Sequence, residues 1–152
     1  MTPDDTTPTR VAQLECNIDD MTAEALGFTL EQLLAGGVLD AWFTPITMKK
    51  GRPATLLSVL CRVEDAPVWR AWLLRETSTL GVRWRLCDRQ VAQRSNDQVE
   101  TPWGPVSRKL KLVDGVVVAA KPEYDDCARI AREHGVPIQQ VIDTARRIPW
   151  RT

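Results

Sequence analysis

Lys49-Lys50-Gly51-Arg52 places three full positive charges in four positions, between two apolar runs rich in β-branched and aromatic residues, 41–48 and 55–63. This pattern predicts a hairpin tip. A tip that needs only solubility can be built from Asn, Asp or Ser. Like charges repel when crowded, so this one points to a bound anion, with the phosphates of a nucleotide as the first candidate. The plainer alternative is a solvated basic turn that guards a sheet edge against pairing.

Three other stretches carry usable chemistry. Asn17-Ile18-Asp19-Asp20-Met21 puts an amide and two carboxylates at the passage from an expected strand to an expected helix, and oxygen ligands of that kind suit Mg²⁺ or Mn²⁺. The alternative is that Asp20 helps to cap the helix and Asp19 is solvated. Arg75-Glu76-Thr77-Ser78-Thr79-Leu80-Gly81 gathers hydroxyls and a glycine after a helix, offering donors to phosphate or ribose, Thr77 and Thr79 among them, although hydroxyl-rich helix exits are common. In Lys121-Pro122-Glu123-Tyr124-Asp125-Asp126, Lys121 could meet phosphate, Tyr124 could stack on a base and an acid could bind metal or ribose. The alternative is a capped helix start with Tyr124 packed on the core.

These stretches need elements to position them. Residues 11–18 alternate as a strand, and a helix follows with Thr22 as N-cap, Glu24 in its first turn and Leu26, Leu30, Leu33 and Leu34 on one face before Gly36-Gly37. The two strands around the basic turn come next, and Pro45, which cannot donate to a ladder, marks the first as an edge strand or a bulged one. Asp65-Ala66-Pro67 caps a second helix running to about Thr77, and residues 82–86 alternate as a half-buried strand. The order strand, helix, strand, strand, helix, strand is that of a ferredoxin-like βαββαβ unit in an α+β fold. After a polar break at 95–98, Asp114-Gly115 predicts a β-hairpin, and two short C-terminal helices follow, the first ending at Gly135 and the second starting at Pro137. The expected organisation is a disordered tail over 1–10, a nucleotide-binding unit over 11–95, and a hairpin with helical extension over 96–152 packed on the same domain.

Twenty basic and twenty acidic side chains cancel in 152 residues, which removes the global charge argument for nucleic acid or an anionic membrane. No apolar run has spanning length. Cys16, Cys61, Cys87 and Cys127 are far apart and make no metal-ligand spacing, which points to a cytoplasmic compartment, and Cys61 in an apolar strand and Cys127 near a helix start read as small buried residues before any redox or metal role. The single histidine, His134, suits a helix C-terminus.

Taken together, the four stretches resemble the C-terminal domain of the LarC family, nickel-insertion proteins that complete the nickel-pincer nucleotide cofactor of lactate racemase. Phe43-Thr44-Pro45-Ile46 and Cys127 extend the matching motifs, which span nearly everything from Leu14 to the last helix. The resemblance implies CTP bound with Mg²⁺ or Mn²⁺ and hydrolysed to CMP and pyrophosphate, as nickel enters a pyridinium bisthiocarboxylate mononucleotide. It implies that Lys49, Lys50 and Arg52 neutralise the triphosphate and that Asp19, Asp20 or Glu76 hold the metal. Asn17, Gly51, Thr77, Thr79, Lys121 and Tyr124 would complete the nucleotide site, and Lys50, Arg52 and Glu76 would lie nearest the chemistry. The family protein also carries a larger N-terminal domain, expected to handle nickel and the pincer precursor and to be a partner of this one if separately encoded. Cys16 stands where a hydroxyl residue is expected. A strand cysteine without a second soft ligand nearby is read as packing.

A rival from another class is a non-catalytic nucleotide sensor on the same ferredoxin-like frame, and a third is a purely structural assembly domain. Six tryptophans, with a sheet that leaves one face to be covered, predict a homo-oligomer, a trimer or a hexamer of two trimers, with nucleotide sites near subunit contacts.

Overall fold

The structure is a computed structural model and describes residues 9–150. They form two compact units that divide between Arg89 and Gln90. The first is built from β1 (Thr9–Ile18), α1 (Ala23–Ala35), β2 (Asp40–Met48), β3 (Arg52–Arg62), α2 (Ala66–Glu76) and β4 (Arg83–Arg89). Its antiparallel sheet has the order β2-β3-β1-β4, as the ferredoxin-like expectation requires. β1 begins at Thr9, inside the stretch expected to be tail, because Thr9 and Arg10 still pair with Arg89 and Asp88. Residues 1–8 of that tail lie outside the described residues.

Alternation decides which face of the sheet is buried. Ala12, Leu14, Cys16 and Ile18 point to one side of β1 and meet Leu57, Val59 and Cys61 of β3, together with Leu33 of α1 and Leu73 of α2, all buried. Thr22 caps α1, its Oγ accepting from the N–H of Ala25 at 3.3 Å. Asp65 occupies the N-cap of α2 but makes no side-chain capping bond. Gly36 ends α1 against the ring of Trp69: a Cβ there would lie 2.4 Å from the ring's Cη2. Glycine is therefore needed for contact, since its φ of −75° is ordinary.

β2 is an edge strand, as Pro45 predicts. The other edge departs from expectation. Trp84 and Leu86 share the helix-facing side of β4 but are 55% and 51% exposed, because α1 and α2 leave this margin uncovered. The Arg70 guanidinium lies 3.8 Å from the centre of the Trp84 ring, a cation–π contact that covers part of it.

The second unit contains β5 (Gln93–Thr101), β6 (Gly104–Val113), β7 (Val116–Pro122), α3 (Tyr124–His134) and α4 (Ile138–Arg147). The hairpin and both helices are as expected, with Asp114 and Gly115 at positive φ in the β6–β7 turn and Gly135 left-handed after α3. The hairpin gains a third strand, β5, across the stretch expected to be a polar break. Its core consists of Val99, Val106, Cys127, Ile130, Val141 and Ala145. Arg108 is fully buried among them. It donates through Nε to Asp97 at 2.9 Å and through Nη1 to the carbonyl of Ala145 at 3.0 Å, and it also reaches the carbonyl of Ile148.

Among the described residues no helix is long and apolar enough to cross a membrane.

Candidate functional site

The topology of the first unit brings three of the four chemical stretches to one end of its sheet. β1 is antiparallel to β3 and to β4, so the end of β1, the β2–β3 tip and the α2–β4 loop must emerge together. The side chains confirm it. Arg52 Nη1 lies 3.4 Å from Asp19 Oδ2, and the Ser78 hydroxyl bonds the carboxylate of Asp20. Arg83 Nη1 donates to Asn17 Oδ1 at 3.0 Å while its Nε meets Glu15 at 3.0 Å.

At the tip, Lys50 has φ 63° and Gly51 φ 68°. Glycine adopts this region freely, but a lysine pays about 1 kcal/mol or more for it. Lys49 and Lys50 are exposed and have no acidic partner among the described residues. Two unneutralised ammonium groups on a strained turn leave that end of the sheet positive, with Arg52 only loosely held by Asp19.

The hydroxyl loop is more occupied than its sequence implies. Thr77 Oγ1 donates to the carbonyl of Leu73 at 2.7 Å and accepts from the N–H of Thr79, and Thr79 Oγ1 donates to the carbonyl of Gly81 at 2.9 Å. Both therefore shape the loop from the backbone side. Glu76 pairs with its neighbour Arg75 at 3.2 Å and is not gathered with Asp19 and Asp20. Among the described residues no three His, Cys, Asp or Glu side chains cluster as a ready metal cage. Cys16 is fully buried, and burial pushes its thiol up to about 11, only partly offset by a hydrogen bond with Thr79 and the charge of Arg83. It is thus a protonated packing residue at neutral pH, and no soft metal ligand.

The fourth stretch belongs to the second unit. Tyr124 is 64% exposed at the start of α3, against the alternative that it packs on the core, and Lys121 at the end of β7 is exposed too. Glu123 is engaged by Lys109 at 2.8 Å. Asp126 accepts the N–H of Ser107 at 2.9 Å, and that bond holds its carboxyl below the usual carboxylate range.

Ser78 belongs to the hydroxyl stretch read from the sequence, whereas Arg83 and Glu15 are contacts that the motifs did not select. Their signal is register: Glu15 stands opposite Arg83 in the β1–β4 ladder, a pairing that alternation along one strand cannot reveal.

The nickel insertion protein family's sequence model matches residues 1–142. A putative nickel insertion protein of Maridesulfovibrio salexigens is 46% identical over 136 residues, covering 90% of this chain and 32% of its own length. The pyridinium-3,5-bisthiocarboxylic acid mononucleotide nickel insertion protein of Staphylococcus saprophyticus is 42% identical over 134 residues, covering 88% of this chain and 34% of its own. The chain thus spans about a third of these relatives. Among solved structures, the apo form of LarC2, the C-terminal domain of a cyclometallase involved in the synthesis of the NPN cofactor of lactate racemase, superposes with a TM-score of 0.87 at 41% identity, covering 91% of this chain and 96% of that one.

Proposed function

Since this chain belongs to the nickel insertion protein family, we propose that it is the CTP-binding part of an enzyme that places nickel, as substrate, into a pyridinium bisthiocarboxylate mononucleotide, with CTP hydrolysed to CMP and pyrophosphate. The observation that carries this reading is the convergence of Asp19, Asp20, Arg52 and Ser78 with the unpaired Lys49 and Lys50 at one end of the first unit's sheet. The residues present fit a divalent ion: Asp19 and Asp20 are exposed and adjacent, and Mg²⁺ or Mn²⁺ ordinarily takes one or two carboxylates and fills its other positions with phosphate oxygens and water. Such an ion would neutralise charge on the phosphates. Glu76 would join only after leaving Arg75.

The cations of the tip do the remaining work. Lys49, Lys50 and Arg52 oppose the negative charge of a triphosphate, and charge that accumulates on the departing pyrophosphate in an in-line displacement at the α-phosphorus is stabilised by the same groups. The left-handed backbone at Lys50 and Gly51, strained only at the lysine, sets where the tip's N–H groups and side chains point before the ligand arrives. Asn17, Thr77 and Thr79 shape the wall of this site, while Lys121 and Tyr124 offer an ammonium and a stacking ring in the second unit. Thermal shift with CTP, ATP, GTP and UTP, each with Mn²⁺, tests the ligand. A shift selective for CTP is expected, and equal or absent shifts would overturn the assignment. CMP release then separates enzyme from nucleotide sensor.

A further inference from the structure

The side of the first unit's sheet that faces away from α1 and α2 carries a polar row across β1 and β4. Arg83 Nε and Nη1 meet Glu15 and Asn17, Gln13 Nε2 donates to the other oxygen of Glu15 at 2.8 Å, and Arg85 Nη2 donates to Gln13 Oε1 at 3.2 Å. Every side-chain oxygen of the row is therefore engaged by a donor within the row. The donors are in surplus: a guanidinium has five N–H groups, and most of those on Arg83 and Arg85 have no protein partner among the described residues. The amide N–H groups of Asn17 likewise have no partner among the described residues. Gln13, Glu15, Arg83 and Arg85 line a cavity of about 180 Å³, with Asn17 just outside its lining.

A surface that has used its acceptors and kept its donors is complementary to an oxyanion. Two features fix the class. Arg83 and Arg85 are two residues apart on one strand, about 7 Å along it, so their guanidiniums can close on one tetrahedral group from both sides. Glu15 offsets one of the two cations and its oxygens are taken, so the row keeps a net charge of +1 and its spare donors on both arginines for an oxyanion. The cavity is too small for a nucleotide and large enough for a phosphate group. Position matters as well. β4 lies two to three strand spacings, roughly 10–14 Å, from the hairpin of β2 and β3, so the two arginines are set apart from Lys49, Lys50 and Arg52 even though Asn17 borders both places. Asn17 joins the row to the end of the sheet, two residues before Asp19.

We propose that Arg83 and Arg85, with the Asn17 amide, bind the phosphomonoester of a mononucleotide second substrate, whose pyridinium end then points toward the Asp19–Asp20 end of the sheet. This inference rests on the nucleotide reading above for its context, but its test is independent of CTP.

Calorimetry of the whole chain with nicotinic acid mononucleotide is the direct experiment, with ribose 5-phosphate and nicotinic acid riboside as controls. The mononucleotide and ribose 5-phosphate should bind and the riboside should not. Arg85→Ala should weaken mononucleotide binding at least tenfold and Arg85→Lys less, with the thermal midpoint in each variant reporting that the fold is kept. If Arg83→Ala proves unstable, Arg85→Ala alone decides. Unaltered affinity in Arg85→Ala, equal binding of the riboside, or no mononucleotide binding by the parent chain would overturn the proposal. A parallel tenfold loss of CTP binding in Arg85→Ala would also overturn it, by assigning the row to the triphosphate. Failure of CTP to bind the parent chain would instead count against the proposed function and leave this result to stand on the mononucleotide titration.

Discussion

Replacing Arg108 by Met keeps the stem of a fully buried side chain and removes its charge and all its donors. Asp97 loses both of its hydrogen bonds, and the carbonyls of Ala145 and Ile148 at the end of α4 lose theirs. Breaking one partner of a buried ion pair costs about 3–5 kcal/mol, but the Asp97 side chain is 24% exposed and water can reach it, so the lower end, about 3 kcal/mol, is expected. In a unit of this size each kcal/mol moves the midpoint by about 4–8 °C, giving a fall of about 12–24 °C for the second unit. The pH dependence has a definite sign. The Arg108 hydrogen bond holds the Asp97 carboxyl below its ordinary value, so Asp97 binds its proton less readily folded than unfolded. Its stabilisation is fully present above the unfolded pKa of about 3.9 and is lost as pH falls through the depressed folded value. Arg108→Met should abolish that acid-side contribution. Urea unfolding at neutral and acid pH, with peptide-resolved hydrogen exchange to separate the two units, measures both effects. A loss below about 1 kcal/mol at neutral pH, or an unchanged acid limb, would refute the view that this pair organises the second unit.

Lys50→Ala and Arg52→Ala should each weaken CTP binding about tenfold or more, as charge-assisted hydrogen bonds of about 1.5–3 kcal/mol imply, and full affinity in both by calorimetry would remove the tip from the site. Asp19→Asn and Asp20→Asn should lose Mn²⁺-dependent CTP affinity while staying folded; Asp19→Asn should in addition release Arg52, so its metal-free affinity should not fall. Gly36→Ala, whose Cβ would press on Trp69, should destabilise the first unit by about 1–3 kcal/mol in denaturant titrations. The chain should assemble with copies of itself, as exposed Trp84, Leu86 and Leu80 imply, and light scattering after size exclusion should show a trimer or hexamer and not a monomer mass at micromolar concentration.

The ferredoxin-like unit was legible because its local signals agree: Thr22 caps, Pro45 falls on an edge, and Leu26, Leu30 and Leu33 of α1 face the core, although Leu34, expected on the same face, is 48% exposed. β5 was not, because Ser95-Asn96-Asp97-Gln98 lacks the apolar alternation by which strands are recognised. Its inward phase carries Asp97, whose counterpart across the ladder is the buried Arg108, so an ion pair stands where two apolar residues would have announced the strand. Trp84 and Leu86 show the opposite failure. Their alternation is correct, but a pattern says which face a residue takes and not whether anything covers it. In the candidate site, charge and residue type singled out the basic tip, the acids and the hydroxyl stretch, whereas the partner of Arg83, 66 residues away, needed the register of the sheet.

The distribution of thiols gives this protein a built-in labelling position. Cys16, Cys61 and Cys127 are buried, and burial also pushes the Cys61 thiol up to about 11, so neither access nor thiolate favours alkylation there. Cys87 is the partly exposed one, and it sits on β4 two residues beyond Arg85, on the same face, with Gln13 Oε1 3.9 Å from its sulfur. A maleimide fluorophore added to the unmutated chain under native conditions should therefore settle mainly on Cys87. An emission change there would report occupation of the neighbouring arginine row without any engineered cysteine.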